Sequence, residues 1–472
     1  MRPPLLFACA LLAGCFGDPP ATAATPSAPA ASGEPAPTPP PQEPDPTPKP
    51  TPAPLPRYET RGQVTVREAA DVASRRVGLL MDCAVVAVTE QQEGPGCEAP
   101  WAALAERGWI CLDHAAPTSS ALPTDHPLLA FDPPTPEELA GYRKDGTFDR
   151  ATGPAAEALL PFAYGRVAGR HAGRCYADVE AARDGAAPVG TLDATRRQHF
   201  TDVVETEDGA FLKRPDGTVV PLDDVYLYAP SRFEGEDLVE DPSPDARPAW
   251  VRRGGANLRD GPSMESNVLE QLPARTALRV GEAEDGWVPL KRAGGAPAEG
   301  WIAASRLRRV RLVPPPEDIA DDDVWVDVDL DQQVLTVLRG PTPLFATMVS
   351  TGTAGHATPL GLYRIGDKML HWDMASRAGA DDTYHLEEVP WVLHFWPRYA
   401  LHGAFWHDGF GDPRSHGCVN LAPKDARTVF DLTEPRVPPG WHSAWESPDH
   451  PGSLVRVRRD SGDVPDRRSR LE

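Results

Sequence analysis

The chain has 472 residues, enough for three or four compact domains each with its own core, and a net charge of −22. No Lys/Arg-rich run offsets that acidity, so the surface repels phosphate backbones, which argues against nucleic acid as a partner. The charge favours solubility and leaves the substrate class open.

Residues 1–15, MRPPLLFACALLAGC, place Arg2 ahead of an apolar run from Leu5 to Leu12 and then small residues. That run is far shorter than the roughly 20 residues a bilayer-spanning helix needs, so it reads as an export signal. Leu12-Ala13-Gly14-Cys15 resembles the lipobox of bacterial lipoproteins, which implies lipidation of Cys15. The alternative is cleavage at a small-residue site such as Ala21-Thr22-Ala23, which leaves a soluble secreted protein. With Cys15 acylated, the chain meets a membrane through a lipid anchor and faces the cell envelope or periplasm. Phe16 after that cysteine, in place of Asp, resembles the pattern sent to an outer membrane where the host has one. Residues 16–57 follow as a tether, with sixteen prolines between positions 19 and 56. Proline fixes φ and removes a donor, so neither helix nor sheet forms there, and a polyproline-II spacer is expected. At about 3.1 Å per residue it reaches on the order of 100 Å.

Two later stretches resemble each other. GQVTVREAADVASRRVGLL begins at Gly62, and GANLRDGPSMESNVLEQL begins at Gly255. Each sets an apolar residue before Arg (Val66-Arg67, Leu258-Arg259), then a turn, then Ser74 or Ser266, and each ends on Gly-Trp-Ile at 108–110 or 300–302. Short alternating strands broken by Gly, Pro and Asp turns argue small β-barrels of about 60 residues. Both are similar to bacterial SH3-like domains, over residues 58–117 and 247–312. Residues 160–232 read as a third, more diverged copy, with a hairpin turning at Asp216-Gly217 and Tyr226/Tyr228 alternating on an edge or barrel strand. Residues 118–159 read as a linker with one short helix opened by Thr135 as N-cap. For these modules two roles stay open: binding peptidoglycan or its peptides, or orienting the domain that follows.

From Asp323 the texture changes. VWVDVDLDQQVLTVLRG alternates Val324, Val326, Val328 and Leu330 with acids and turns at Gln332-Gln333, as a hairpin with one buried and one wet face does. Helix is scarce, but residues 422–433 put Ala426, Val429 and Phe430 on one helical face, with Pro423 in the first turn. The fold class expected for the whole is mainly β: small barrels, then a β-rich domain over 323–459 with few helices, then a disordered tail over 460–472.

Seven cysteines need places. Cys9 leaves with the signal and Cys15 takes the lipid. Cys83, Cys97, Cys111 and Cys175 sit in an exported chain where oxidation is permitted, and one structural pair is expected among the first three. Cys418 remains, within FGDPRSHGCVNL. A thiol near pKa 8.5 needs a base or a positive field to become a nucleophile, and acyl transfer needs main-chain donors aimed at the oxyanion. His416-Gly417-Cys418 can stack such donors in a tight turn, and YALHGAFWHDGFG supplies His402, with His407 five residues later. A disulfide half gives the His-Gly-Cys context no use. A zinc site from His402, His407, Asp408, His416 and Cys418 has suitable ligand types but no ligand spacing to match. His385, His394 and His407 read as surface or packing residues.

His402, a spacer of a dozen residues, then Ser415-His416-Gly417-Cys418-Val419-Asn420 resembles the signature of the YkuD-type L,D-transpeptidases, and the preceding strands fall in that family's order over about 135 residues. The resemblance implies Cys418 as nucleophile on a peptidoglycan stem peptide. It implies His402 as base and then acid, with the Gly403 carbonyl orienting its ring. It implies an oxyanion hole from the amides of His416, Gly417 and Cys418, and no cofactor or metal. Thr358, Tyr384 and Trp396 are expected along the substrate groove, while Ser415 and Asn420 hold the loop. Asn420 stands where many relatives carry Arg. The thioester would pass to an amine, crosslinking stems or attaching a protein. The rivals are hydrolysis of the same thioester, giving trimming, and an inert wall-binding adaptor.

Overall fold

Strands β1 (Val324–Asp329), β2 (Val334–Arg339) and β3 (Thr342–Met348) form an antiparallel meander at the start of the C-terminal domain of this computed structural model. Residues 54–126, 160–168, 173–207, 209–239, 245–317, 319–376, 379 and 383–459 are described. The export signal, the lipobox, all but the last residues of the tether, the Thr135 helix and the tail lie outside them. Strands β4 (Gly361–Arg364) to β8 continue the domain: β5 (Asp367–Ala375), β6 (His385–Trp396), β7 (Tyr399–Gly403) and β8 (Val419–Leu421). Helix α1 (Pro423–Leu432), β9 (Trp441–Trp445) and β10 (Leu454–Arg458) complete it. Strand dominates throughout, with two α-helices among the described residues, as the mainly-β reading requires.

Two sheets face each other. One runs β3-β2-β1-β10-β4, and the other is built on β6, with β5 and β9 on one side and β7 and β8 on the other. Val326, Val328, Leu335 and Val337 from the first bury against Leu393, Phe395, Leu401 and Val419 from the second. Helix α1 closes one end with Ala426, Val429 and Phe430, the face its periodicity marks, and Pro423 sits in the first turn where no amide donor is needed.

The alternation in β1 is real, but its second face is not wet. Asp327 and Asp329 are buried because β10 lies parallel to β1 in a register that sets Asp327 beside Arg456 and Asp329 beside Arg458. Arg456 Nε lies 2.6 Å from Asp327, Arg458 Nη1 lies 3.1 Å from Asp329, and Arg311 covers the pair from the preceding segment. Acids spaced by two on a strand look solvated until their partners, some 130 residues away, are known.

The two repeats share more than pattern. Each carries a bulge at its apolar–Arg step, opposite the next strand. Arg67 donates to the Ser74 carbonyl at 2.8 Å and Arg259 to that of Ser266 at 2.6 Å, and the same arginines pair across the sheet with Trp109 and Trp301. Ile110 and Ile302 fill the two cores, while the tryptophans stay half-buried. Cys97 and Cys111 form a disulfide, and Cys83 (exposed) and Cys175 (buried) are unpaired.

These modules are joined to the C-terminal domain by sheet hydrogen bonding. Strand Arg76–Leu80 pairs with β9, where the Trp441 ring occupies the space a side chain at Gly78 would need. At the far side, strand Arg196–Phe200 runs parallel to the start of β6, setting Arg197 beside Leu386. Residues Glu236–Asp237 cover the edge of β3. Edges that would otherwise invite another chain are capped by this chain's own modules.

Candidate active site

His402 and Cys418 come together because β7 and β8 are adjacent parallel strands. Leu401 pairs with Val419 and His402 with Asn420, so Cys418 lies one pleat period before the partner of His402, on the same face. With strands about 4.8 Å apart and roughly 3.3 Å rise per residue, the two Cα atoms are about 8 Å apart. Both side chains line a cavity of about 260 Å³. The 15 residues between the strands carry the chain back to the same end of the sheet, as a parallel pair requires.

The His402 ring is fully buried and its Nδ1 lies 3.1 Å from the Gly403 carbonyl. Only a protonated nitrogen can donate to that oxygen, so Nε2 is left with its lone pair. Burial lowers the imidazole to about 4, against the opposing pull of Gly403, so the ring is neutral. Trp406 lies against it at 5.7 Å between ring centroids. Cys418 is half-buried. Burial pushes its thiol up to about 11, opposed by the Ala400 amide, and its Sγ sits 3.8 Å from the Arg398 carbonyl. The resting pair is a neutral thiol and a neutral base.

The turn before Cys418 is braced from behind. Ser415 Oγ accepts from the Gly417 amide at 3.0 Å and donates to the Cys418 carbonyl. Thr358 Oγ1 donates to the Gly417 carbonyl at 2.7 Å and accepts from the Gly352 amide at 2.9 Å. Gly417 has φ +120° and no room for a side chain, because the Tyr399 ring lies against it. Two expectations change here. The Gly417 amide is already engaged by Ser415 and is not a donor facing the cavity. Thr358 is 3% exposed and supports the loop from beneath, so it does not line the groove.

Tyr384 and Trp396 do line a cavity with Cys418, a larger one of about 800 Å³ that adjoins the smaller at Met374, Tyr384, Arg398, His416 and Cys418. The His416 ring lies between His356 at 4.5 Å and Tyr384 at 5.3 Å, tilted against both. His394 lies 2.7 Å from Asp367 and also borders the larger cavity, and His385 lies 3.5 Å from Asp373. His407 does more than pack. It is largely buried and held neutral, its Nδ1 accepts from the Gly409 amide at 3.2 Å, and its Nε2 lies 3.0 Å from the Asn420 amide. The atom placed there is Asn420 Nδ2; since Nδ1 accepts, Nε2 bears the proton, and exchanging the amide's oxygen and nitrogen lets Nε2 donate to Asn420 Oδ1. Asn420, which lines the smaller cavity, is thereby held by His407, and the other end of its amide is buried without a hydrogen-bond partner among the described residues.

Sequence reasoning missed three arginines. Arg197, Arg398 and Arg414 line the smaller cavity with His402 and Cys418. Arg197 belongs to the module 160–232, about 220 residues before the cysteine, and nothing in its local sequence signals the approach. The same module supplies Tyr164, which donates to the Glu388 carbonyl and stacks on Phe405 at 3.8 Å. Phe405 meets Trp406 edge-on at 4.9 Å, so one aromatic column runs from that module to the His402 ring.

Residues 323–457 match the family model of the L,D-transpeptidase catalytic domain, YkuD, and residues 253–309 match that of the bacterial SH3 domain. The chain therefore carries both domain types. YciB of Bacillus subtilis (strain 168), a protein named for L,D-transpeptidase activity, is 24% identical over 135 residues, 24% of this chain and 63% of that protein. The chain thus spans less than two thirds of that relative's length. Among solved structures, the catalytic domain from an E. faecium L,D-transpeptidase is 19% identical, with 29% of this chain and 98% of that one covered at a TM-score of 0.24. The same domain acylated by ertapenem is 20% identical at the same coverage and score. An L,D-transpeptidase from Mycobacterium smegmatis is 17% identical over 54% of this chain and 98% of its own, at a TM-score of 0.24.

Proposed function

We propose that the chain is an exported peptidoglycan L,D-transpeptidase that forms a Cys418 thioester with a stem peptide and passes it to an amine. The observation that carries this reading is a buried, neutral imidazole whose Nδ1 is tied to its own strand's carbonyl while its ring and the Cys418 thiol border one cavity. As the sulfur attacks the peptide carbonyl, the thiol proton passes to His402 Nε2, and the resulting imidazolium and oxyanion offset each other in a poorly solvated site. Collapse breaks the C–N bond, and His402 returns that proton to the departing amine of the terminal D-amino acid. The acceptor amine then attacks the thioester, its proton passing through His402 to the thiolate. With the Gly417 amide engaged, the oxyanion donors are assigned to the His416 and Cys418 amides.

The thiol borders two adjoining cavities, room for an acceptor peptide beside the donor, which supports transfer over hydrolysis. Lipidation of Cys15 and a long proline-rich tether would let this site sample a wall standing off the membrane, and the modules would orient it there.

The test uses the intact chain and ertapenem. A mass increase of one drug molecule, absent from Cys418→Ala and slowed at least about 100-fold in His402→Ala, is the expected result. No adduct on the native chain, or an adduct surviving Cys418→Ala, overturns the reading. Incubation with disaccharide-tetrapeptides then separates crosslinked dimers from trimmed tripeptides.

A further inference from the structure

Beyond the two cavities at Cys418 lies a third, of about 380 Å³, between the module 247–312 and the catalytic domain. The module contributes Arg252, Arg253, Arg275 and Arg308; the catalytic domain contributes Arg414, Asp408 and Asp412. Five guanidinium groups thus face two carboxylates, a local excess of three positive charges in a chain whose net charge is −22. Arg275 Nη1 pairs with Asp408 at 2.8 Å and Arg308 Nη2 with Asp412 at 3.1 Å, and Arg252 reaches Asp412 only at 4.0 Å. Arg253 is exposed and Arg414 donates to the Gly409 carbonyl; neither has an acid partner among the described residues. The Nε of Arg308, in a side chain only 10% exposed, has no hydrogen-bond partner there. Burial and the neighbouring Arg252 both press on the Arg308 guanidinium, lowering it from its ordinary value. With Arg253 and Arg414 lacking an acid partner among the described residues, the pocket keeps cationic side chains free to meet an anion.

We propose that this pocket is an anion subsite that takes a free carboxylate of a peptide bound at the smaller cavity beside Cys418. The connection is Arg414, which borders both spaces. A peptide lying past His402 therefore meets Arg414 and then the pocket, where planar guanidinium groups suit a carboxylate's two oxygens. The module 247–312 then acts as one wall of the substrate site and not only as a spacer. This inference rests on the peptide-handling reading above and is tested apart from it.

The full chain bearing Cys418→Ala is titrated calorimetrically with an N-acetylated stem tetrapeptide carrying free carboxylates and with its fully amidated counterpart. The free acid is expected to bind about tenfold more tightly, and Arg253→Gln or Arg308→Met in the same background to erase most of that difference while leaving the amidated peptide's affinity alone. Arg308 is buried and its replacement is checked by thermal melting; Arg253 is exposed and keeps the test open if Arg308→Met unfolds. Equal binding of the two peptides, or discrimination that persists in Arg253→Gln, overturns the proposal. Displacement of the acid by inorganic phosphate at lower concentration than by acetate also overturns it, making the pocket a phosphate site. Ertapenem acylation of the native chain reports on Cys418 alone, so the two readings can fail separately.

Discussion

His402 and Cys418 illustrate how much a few ångströms of burial change a side chain's chemistry. An imidazole in water titrates near 6.5, and a thiol near 8.5. Here burial takes the first down to about 4 and the second up to about 11. Neither group is charged at neutral pH, so under the proposed mechanism the nucleophile is generated during attack and not stored as a thiolate. The pH dependence follows. His402 serves as base only when neutral; that condition holds above about 4 and is lost as pH falls through it. Ertapenem acylation of the native chain should therefore be flat from about pH 5.5 to 9 and fall with an acid limb near 4. A limb centred near 6.5 would show a solvated imidazole and refute this account. The same depression makes His402 a source of acid lability: between about 6.5 and about 4 the unfolded chain binds a proton that the folded ring does not, so stability falls with pH across that window and not above it.

At the scale of elements, the β1–β10 pair and the Tyr164 column carry the largest consequences. Asp327 lies between Arg456 and Arg458, all three nearly inaccessible to solvent. Removing its carboxylate leaves the buried Arg456 without its acid and Arg458 with Asp329 alone, so Asp327→Ala should cost about 3–5 kcal/mol in urea unfolding, while replacing an exposed acid, as in Asp321→Ala, changes little. A small effect at Asp327 would mean that the arginines reach water. Tyr164 acts at a distance. It lines neither cavity at Cys418, yet through Phe405 and Trp406 it supports the His402 ring. Tyr164→Ala should lower the ertapenem acylation rate about tenfold and shift the acid limb toward 6.5 as water reaches the imidazole, with Tyr164→Phe restoring both. Slower acylation without the pH shift would mark a merely structural role.

For the whole molecule, the accessory modules and the catalytic domain form a continuous construction of sheets. Strand Arg76–Leu80 extends it at β9, strand Arg196–Phe200 at β6, and one apolar core runs from Val66 and Leu80 into Trp441 and Val437. Unfolding of the chain from residue 54 onward is expected as one main calorimetric transition. A fragment of residues 319–459 exposes both sheet edges and the Trp441 face, and should melt at least about 10 °C lower or aggregate. Separate transitions for the modules, or an equally stable fragment, would show that the shared sheets are energetically idle.

How much of this was legible in one dimension depends on distance along the chain. The Ser-His-Gly-Cys turn, the histidine upstream of it, the α1 face and the Arg–Ser contacts of the two repeats are local patterns, in which side-chain type and spacing dictate the contact. The mainly-β class follows from the same short-range alternation. The tertiary structure alone decided the rest: that the acids of β1 meet arginines of the last strand, that Thr358 braces the loop through the Gly417 carbonyl and Ser415 takes up the Gly417 amide, that His407 holds Asn420, and that Arg197 reaches the cysteine's cavity. Each depends on which strands become neighbours. That is set by cooperative burial of side chains far apart in the chain, which no local periodicity encodes.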